Sequence, residues 1–210
     1  TRQKKKKFTI LPFNAFHTHF STMRFSLNYP VDPSITAAVF VPDYELSTEK
    51  ARQALPRELP YKDAVYNVSR VGLLPAAMNP MVLAQAAQQG KSGVAAAPAQ
   101  DADTCACAGG TRESPFADEL AAAQAQSNAL LFTATQDKLH QPYRGTLMPP
   151  STELIALFRS KGYAAAVSGA GPCVLVLHYG NAREAIDQIA SEQLASGHWR
   201  VLHLPINTAG

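Results

Sequence analysis

At 210 residues, 46% apolar and 17% charged, the chain has room for one packed core with an appendage. Its net charge is +3, but Arg2, Lys4, Lys5, Lys6 and Lys7 supply five positive charges, so the remainder is net −2 and the pI of about 8.8 belongs to the basic start. No basic face follows residue 10, and no window approaches the ~18 apolar residues a membrane span needs, so neither nucleic acid nor a membrane is an expected partner.

Residues 1–21 carry no hydrophobic period and read as an unmatched basic tail. Lys4–Lys7 and the apolar residues after them faintly resemble a signal peptide, but Pro12, Asn14, His17 and His19 break the run and no small-residue cleavage site follows. Cys105, Cys107 and Cys173 are odd in number, and a single residue separates the first two. That spacing is neither a disulfide framework nor a zinc motif, and it fits free thiols in a reducing cytosol. A cytoplasmic protein is expected.

Met23–Leu27 alternates as a half-buried strand does, and Thr36–Val41 is a short β-rich run of a buried strand. Ser47 or Thr48 can cap a helix that runs to about Leu55. Asp63 can cap a second, with apolar residues at helical spacing to about Met78 and Pro75 kinking or ending it. Residues 79–127 are rich in Ala, Gln and Gly and read as a low-complexity insertion whose last part, Phe116–Gln126, leads helically into Asn128–His140. Ser151 can cap a helix that ends at Lys161-Gly162. The spacing then predicts a strand at Tyr163–Val167, a glycine turn and a strand at Cys173–His178. A helix from an Asn181 cap to Leu194 and a last strand at His198–Leu204 complete the chain. Strands and helices mix without βα alternation, which predicts an α+β fold with helices packed on one face of a mainly antiparallel sheet.

Three segments hold chemistry. Ser168-Gly169-Ala170-Gly171-Pro172 joins two strands. Its glycines permit positive φ and close backbone approach, which suits either an ordinary hairpin or an anion nest. It is no dinucleotide fingerprint, because a strand rather than a helix follows. The Arg144 fork suits a carboxylate or phosphate, or a surface ion pair. Thr48 and Arg52 lie four residues apart, so on a helix they share a face and can hold a small polar anion, or serve as a cap and a solvated cation. His140 fits a general base or a helix C-terminus, and Asp137 an acid or a metal ligand without a local partner.

Val41-Pro42-Asp43-Tyr44-Glu45-Leu46-Ser47-Thr48, Ala51-Arg52, Asp63-Ala64-Val65-Tyr66-Asn67, Leu139-His140-Gln141-Pro142-Tyr143-Arg144 and Val167-Ser168-Gly169-Ala170-Gly171-Pro172 occur here in that order. Together they resemble the C-terminal half of the homoserine kinase family, within the galactokinase–homoserine kinase–mevalonate kinase–phosphomevalonate kinase (GHMP) superfamily. The resemblance spans about residues 22–205, apart from the insertion at 79–127. It implies a ferredoxin-like C-terminal domain and ATP- and Mg²⁺-dependent phosphorylation of the L-homoserine side-chain hydroxyl, on the way to threonine. It further implies that Arg52 and Arg144 hold the amino-acid carboxylate and that Thr48 lies near the reacting hydroxyl. Ser168, Gly169, Ala170 and Gly171 would support the phosphate-binding region. No segment matches the superfamily's Pro-x-x-x-Gly-Leu-Gly-Ser-Ser-Ala phosphate loop, its first motif or the helix with the Mg²⁺-binding Glu. The expectation is therefore the substrate-binding part of such a kinase, inactive alone, with no complete ATP or Mg²⁺ site. The alternative is a non-catalytic fragment or an amino-acid-binding domain. Either leaves an apolar surface where an N-terminal domain would dock, and hence a homodimer or association through that surface.

Overall fold

The computed structural model describes residue 29, residues 31–79 and residues 115–206. The expected Met23–Leu27 strand, the basic tail and most of the 79–127 stretch lie outside the described residues.

Four strands form one antiparallel sheet: β1 (Ile35–Pro42), β2 (Ala164–Val167), β3 (Val174–Tyr179) and β4 (Trp199–Leu204). Their order is β2-β3-β1-β4. β1 pairs with β3 from Ile35↔Tyr179 to Phe40↔Val174 and with β4 from Ala37↔Leu204 to Pro42↔Trp199. With helices between β1 and β2 and between β3 and β4, this is the split βαβ plait of ferredoxin-like folds. The α+β class and the antiparallel sheet are as the sequence predicts.

Residues opposite one another on paired strands share a face, so the register sorts the core into two layers. On one face Ala38, Phe40, Val174, Val176 and Ala165 pack against α6 (Pro149–Ser160), through Leu154 and Phe158, and α7 (Arg183–Ile189), through Ile186. On the other, Ile35, Ala37, Ala164, Leu177 and Tyr179 meet Ala77 of α3 (Leu74–Ala77) and Leu131 of α4 (Pro115–Ala134). Helices thus cover both faces, not one. Most residues on both sides of β1 and β3 are therefore buried.

Several helix limits differ from the sequence reading. α1 (Thr48–Gln53) starts as expected, with Ser47 accepting from the Lys50 amide. α2 (Tyr61–Val71) is capped by Pro60 and carries Asp63 in its first turn. Pro75 falls near the start of α3, where its missing N–H costs nothing. α4 takes in Phe116–Gln126 but stops at Ala134, short of His140. The Arg159 guanidinium and the Thr135 hydroxyl take the carbonyls of Phe132 and Leu131, which closes its last turn. Asn181 caps no helix. The stretch expected as one helix is α7 from an Ala182 cap, a bend at buried Ala190, and α8 (Ser191–Ala195).

α2 is the outlier in burial. It rests on the end of α4 but turns Tyr61, Val65, Val68 and Val71 to solvent, with Tyr61 84% and Val68 73% exposed. These positions follow helical spacing, so they form one apolar stripe.

Candidate functional site

The three chemistry-bearing segments converge at one end of the sheet. β1 ends at Pro42 and feeds the Asp43–Ser47 loop and α1. Val174, the first residue of β3, pairs with Phe40, so the Ser168–Pro172 turn lies beside that exit. The third segment bridges the other two. Arg144 ends α5 (Gln141–Arg144), a single turn with Pro142 near its start. Its Nε donates to the Ala51 carbonyl at 3.1 Å, and its Nη1 reaches the Gly169 carbonyl at 3.5 Å. Arg144 therefore touches the residue beside Arg52 on one side and the glycine turn on the other. Thr48 and Arg52 are both exposed on α1, one turn apart. Arg144 thus joins α1 to the glycine turn, and its fork is of a kind that suits a small carboxylate.

The turn is built to hold its shape. The Gly171 amide donates to the Ser168 carbonyl at 3.2 Å and the Ser168 amide to the Cys173 carbonyl at 2.8 Å. Gly169 and Gly171 have φ of 66° and 97°, and Gly171-Pro172 is a cis peptide. The two glycines differ in surroundings. A Cβ at Gly169 would meet nothing within 4 Å, whereas one at Gly171 would lie 2.6 Å from the sulfur of buried Met148. Gly171→Ala should therefore destabilise by ~2–3 kcal/mol, from left-handed strain plus overpacking, and Gly169→Ala by only ~1 kcal/mol. Thermal unfolding of both variants checks this; equal losses would show that Met148 yields without cost.

Ser151 contributes something its sequence context does not suggest. It is not the cap of α6. Met148 is the cap, Pro149 and Pro150 open the helix, and Ser151 is fully buried in its first turn. Its hydroxyl donates to the Pro172 carbonyl at 2.5 Å. That uses its one proton, so Tyr44, 2.8 Å away, must be the donor in their shared bond. The relay Tyr44–Ser151–Pro172 fixes the far end of the glycine turn to the loop between β1 and α1.

Asp137 also has an unforeseen role, and His140 does not end a helix. One Asp137 oxygen accepts from the Leu139 amide (2.9 Å) and the Asn67 side chain (2.6 Å), the other from the amides of His140 (2.9 Å) and Gln141 (2.6 Å). Burial alone would raise this carboxyl, but the amides of Gln141, Leu139 and His140 and the Asn67 side chain outweigh it and hold the group below the usual carboxylate range. His140 lies 3.4 Å from the same carboxylate, half-exposed, before α5. A cavity of about 390 Å³ opens beneath this turn, lined by Asp137, Gln141, Thr152 and Arg159 among others. Burial moves the Arg159 guanidinium down and the Cys173 thiol up from their ordinary values. A raised thiol is not an activated nucleophile.

Among the described residues no group of three His, Cys, Asp or Glu side chains could hold a metal ion. Neither does any helix there have the length and apolarity to cross a membrane.

Comparison with known proteins agrees with this architecture. Residues 116–195 match the family model of the GHMP kinases C terminal. A homoserine kinase of Corynebacterium aurimucosum is 33% identical over 176 residues, 84% of this chain and 41% of that protein. One from Leifsonia xyli is 33% identical over 182 residues, 86% of this chain and 42% of that protein. The chain spans less than half the length of these relatives. Among solved structures, homoserine kinase from Cytophaga hutchinsonii superposes with a TM-score of 0.56 at 17% identity, over 86% of this chain and 44% of that one, a likeness of fold.

Proposed function

Because the chain carries a GHMP kinase C-terminal domain, we propose that it supplies the substrate-binding part of a homoserine kinase, an enzyme transferring a phosphoryl group from ATP to the side-chain hydroxyl of L-homoserine. The observation that supports this most is the bridge made by Arg144, from the Ala51 carbonyl beside Arg52 to the Gly169 carbonyl of the glycine turn. In this reading Arg52 and Arg144 take the two carboxylate oxygens and Thr48 faces the hydroxyl end. Ser168, Gly169, Ala170 and Gly171 support the phosphate-binding region from one side. The partners are L-homoserine and ATP, in the cytoplasm and on the way to threonine.

ATP and Mg²⁺ need a phosphate cradle and hard oxygen ligands. The described residues offer no cluster of ligating side chains, and the glycine turn runs into a strand rather than opening a helix. They do not fit a complete Mg·ATP site, so we derive no transfer step from them. In this reading the described residues supply substrate binding rather than the phosphate cradle. The exposed apolar face of α2 is where, in this reading, an N-terminal kinase domain or a second copy would dock.

Isothermal titration with L-homoserine, and separately with Mg·ATP, tests the reading. The expected result is homoserine binding that Arg52→Ala weakens at least about tenfold, a loss of about 1.4 kcal/mol, with no heat from Mg·ATP. Homoserine binding untouched by Arg52→Ala would remove α1 from the site. Binding of neither ligand would mean that these residues do not form the site by themselves.

A further inference from the structure

We propose that Asp137 is a positioning residue for Arg144: its carboxylate builds the turn on which that guanidinium is mounted and ties it to the strand entering the glycine turn. The inference rests on the reading of Arg144 as a substrate ligand and extends it to a residue that touches no substrate.

Each link is a hydrogen bond. α5 is one turn long, too short to be stable alone. Its leading amides are orphan donors, and the Asp137 carboxylate takes that of Gln141, the first helical residue, together with those of the cap residue His140 and of Leu139 before it. Asn67 of α2 secures the carboxylate from behind with its NH₂, and its oxygen accepts the Lys138 amide at 2.9 Å. Five polar contacts thus pin residues 137–141. Gln141, held at one end by Asp137, spends its side-chain oxygen on the Val167 amide at 3.0 Å, at the last residue of β2. Arg144, anchored by its amide to the His140 carbonyl at 3.0 Å, then projects to Ala51 and Gly169. α2, the turn, β2 and α1 are held in register by one carboxylate.

The geometry goes beyond an ordinary helix cap. A cap satisfies one or two amides of the helix it starts. Here the acceptor also fixes Gln141, whose side chain holds the neighbouring strand, so loosening the carboxylate loosens both carbonyl contacts of Arg144. No local spacing requires Asn67 and Asp137 to meet; they are 70 residues apart.

The test uses the full 210-residue chain. Asp137→Asn keeps the side-chain shape but leaves one acceptor oxygen and turns an NH₂ toward N–H donors. The first readout needs no ligand: hydrogen exchange at the Arg144 Nε–H, followed by ¹⁵N NMR. Asp137→Asn should speed that exchange about tenfold or more, while the sheet amides of Val39 and Val176 change less than about twofold. Unchanged Arg144 exchange in a folded variant overturns the proposal. Should Asp137→Asn not fold, Asn67→Ala removes only the rear support and must produce the same pattern in smaller measure; its absence overturns the proposal equally.

The second readout is L-homoserine affinity in Asp137→Asn, Arg144→Ala and the double variant. A residue acting through Arg144 weakens binding about tenfold in the single variant and adds nothing once Arg144 is gone. Additive losses would show an independent route and refute the positioning role. If the unaltered chain binds no homoserine, the substrate reading fails alone, and the exchange experiment still decides the role of Asp137.

Discussion

Arg144→Ala is expected to weaken L-homoserine binding by about 100-fold, or ~2.7 kcal/mol. The Arg144 Nε is committed to the Ala51 carbonyl, and its Nη1 leans toward Gly169. The outer edge of the fork remains for a ligand, so the side chain orients two loops and offers charge together. Truncating one member of a hydrogen-bonded charge pair typically costs ~2–5 kcal/mol in affinity, and the half-buried setting of Arg144 suggests the lower part of that range. Lysine should recover little, because an ammonium cannot span two carbonyls and a carboxylate with a planar fork. Folding should suffer less, by ~1.5 kcal/mol, the low end for hydrogen bonds made by a charged group. Titration calorimetry beside urea unfolding separates the two effects. An Arg144→Ala protein that binds homoserine as the parent does would remove this residue from the site.

The largest stability effect is expected at Phe158→Ala, ~3–5 kcal/mol. Phe158 is fully buried, with its ring 5.1 Å from that of Phe40 on β1 and 6.1 Å from that of Tyr163. It joins α6 to the centre of the sheet, where Ala38 and Ala165 are too small to close the space left behind. Domains have only ~5–15 kcal/mol in hand, so the variant should be partly unfolded at 37 °C. Chemical denaturation with an unchanged m-value would measure this loss. A change below ~1 kcal/mol would mean that the core repacks around the hole.

How far the sequence speaks for itself depends on the range of the interaction. β1 and β3 are legible because apolar, β-branched runs have few alternatives once both faces are buried, and the caps at Ser47 and Gly162 are legible because they act within one turn. The segments around Arg52, Arg144 and Gly169 are visible as patterns, but their meeting at Arg144 is not. The same limit explains Ser151 and Asp137. A serine before a helix suggests a cap, and only the fold shows that two prolines begin the helix earlier and that the hydroxyl serves Pro172 and Tyr44, the latter 107 residues away. Asp137 reads from sequence as an acid or a metal ligand without a local partner, and only the fold reveals four donors around it. The bend at Ala190 has no sequence signal, since helical spacing continues through it.

The bare side of α2 has a calorimetric consequence. Heat capacity of unfolding follows the apolar surface newly exposed, and Tyr61, Val65, Val68 and Val71 are already wet in the folded chain. The chain should therefore unfold with a smaller heat-capacity increment and a shallower denaturant slope than a domain of its size with every apolar helix face covered. Whatever molecule comes to lie on α2 will return the difference, binding with a negative heat-capacity change even where its enthalpy at one temperature is close to zero.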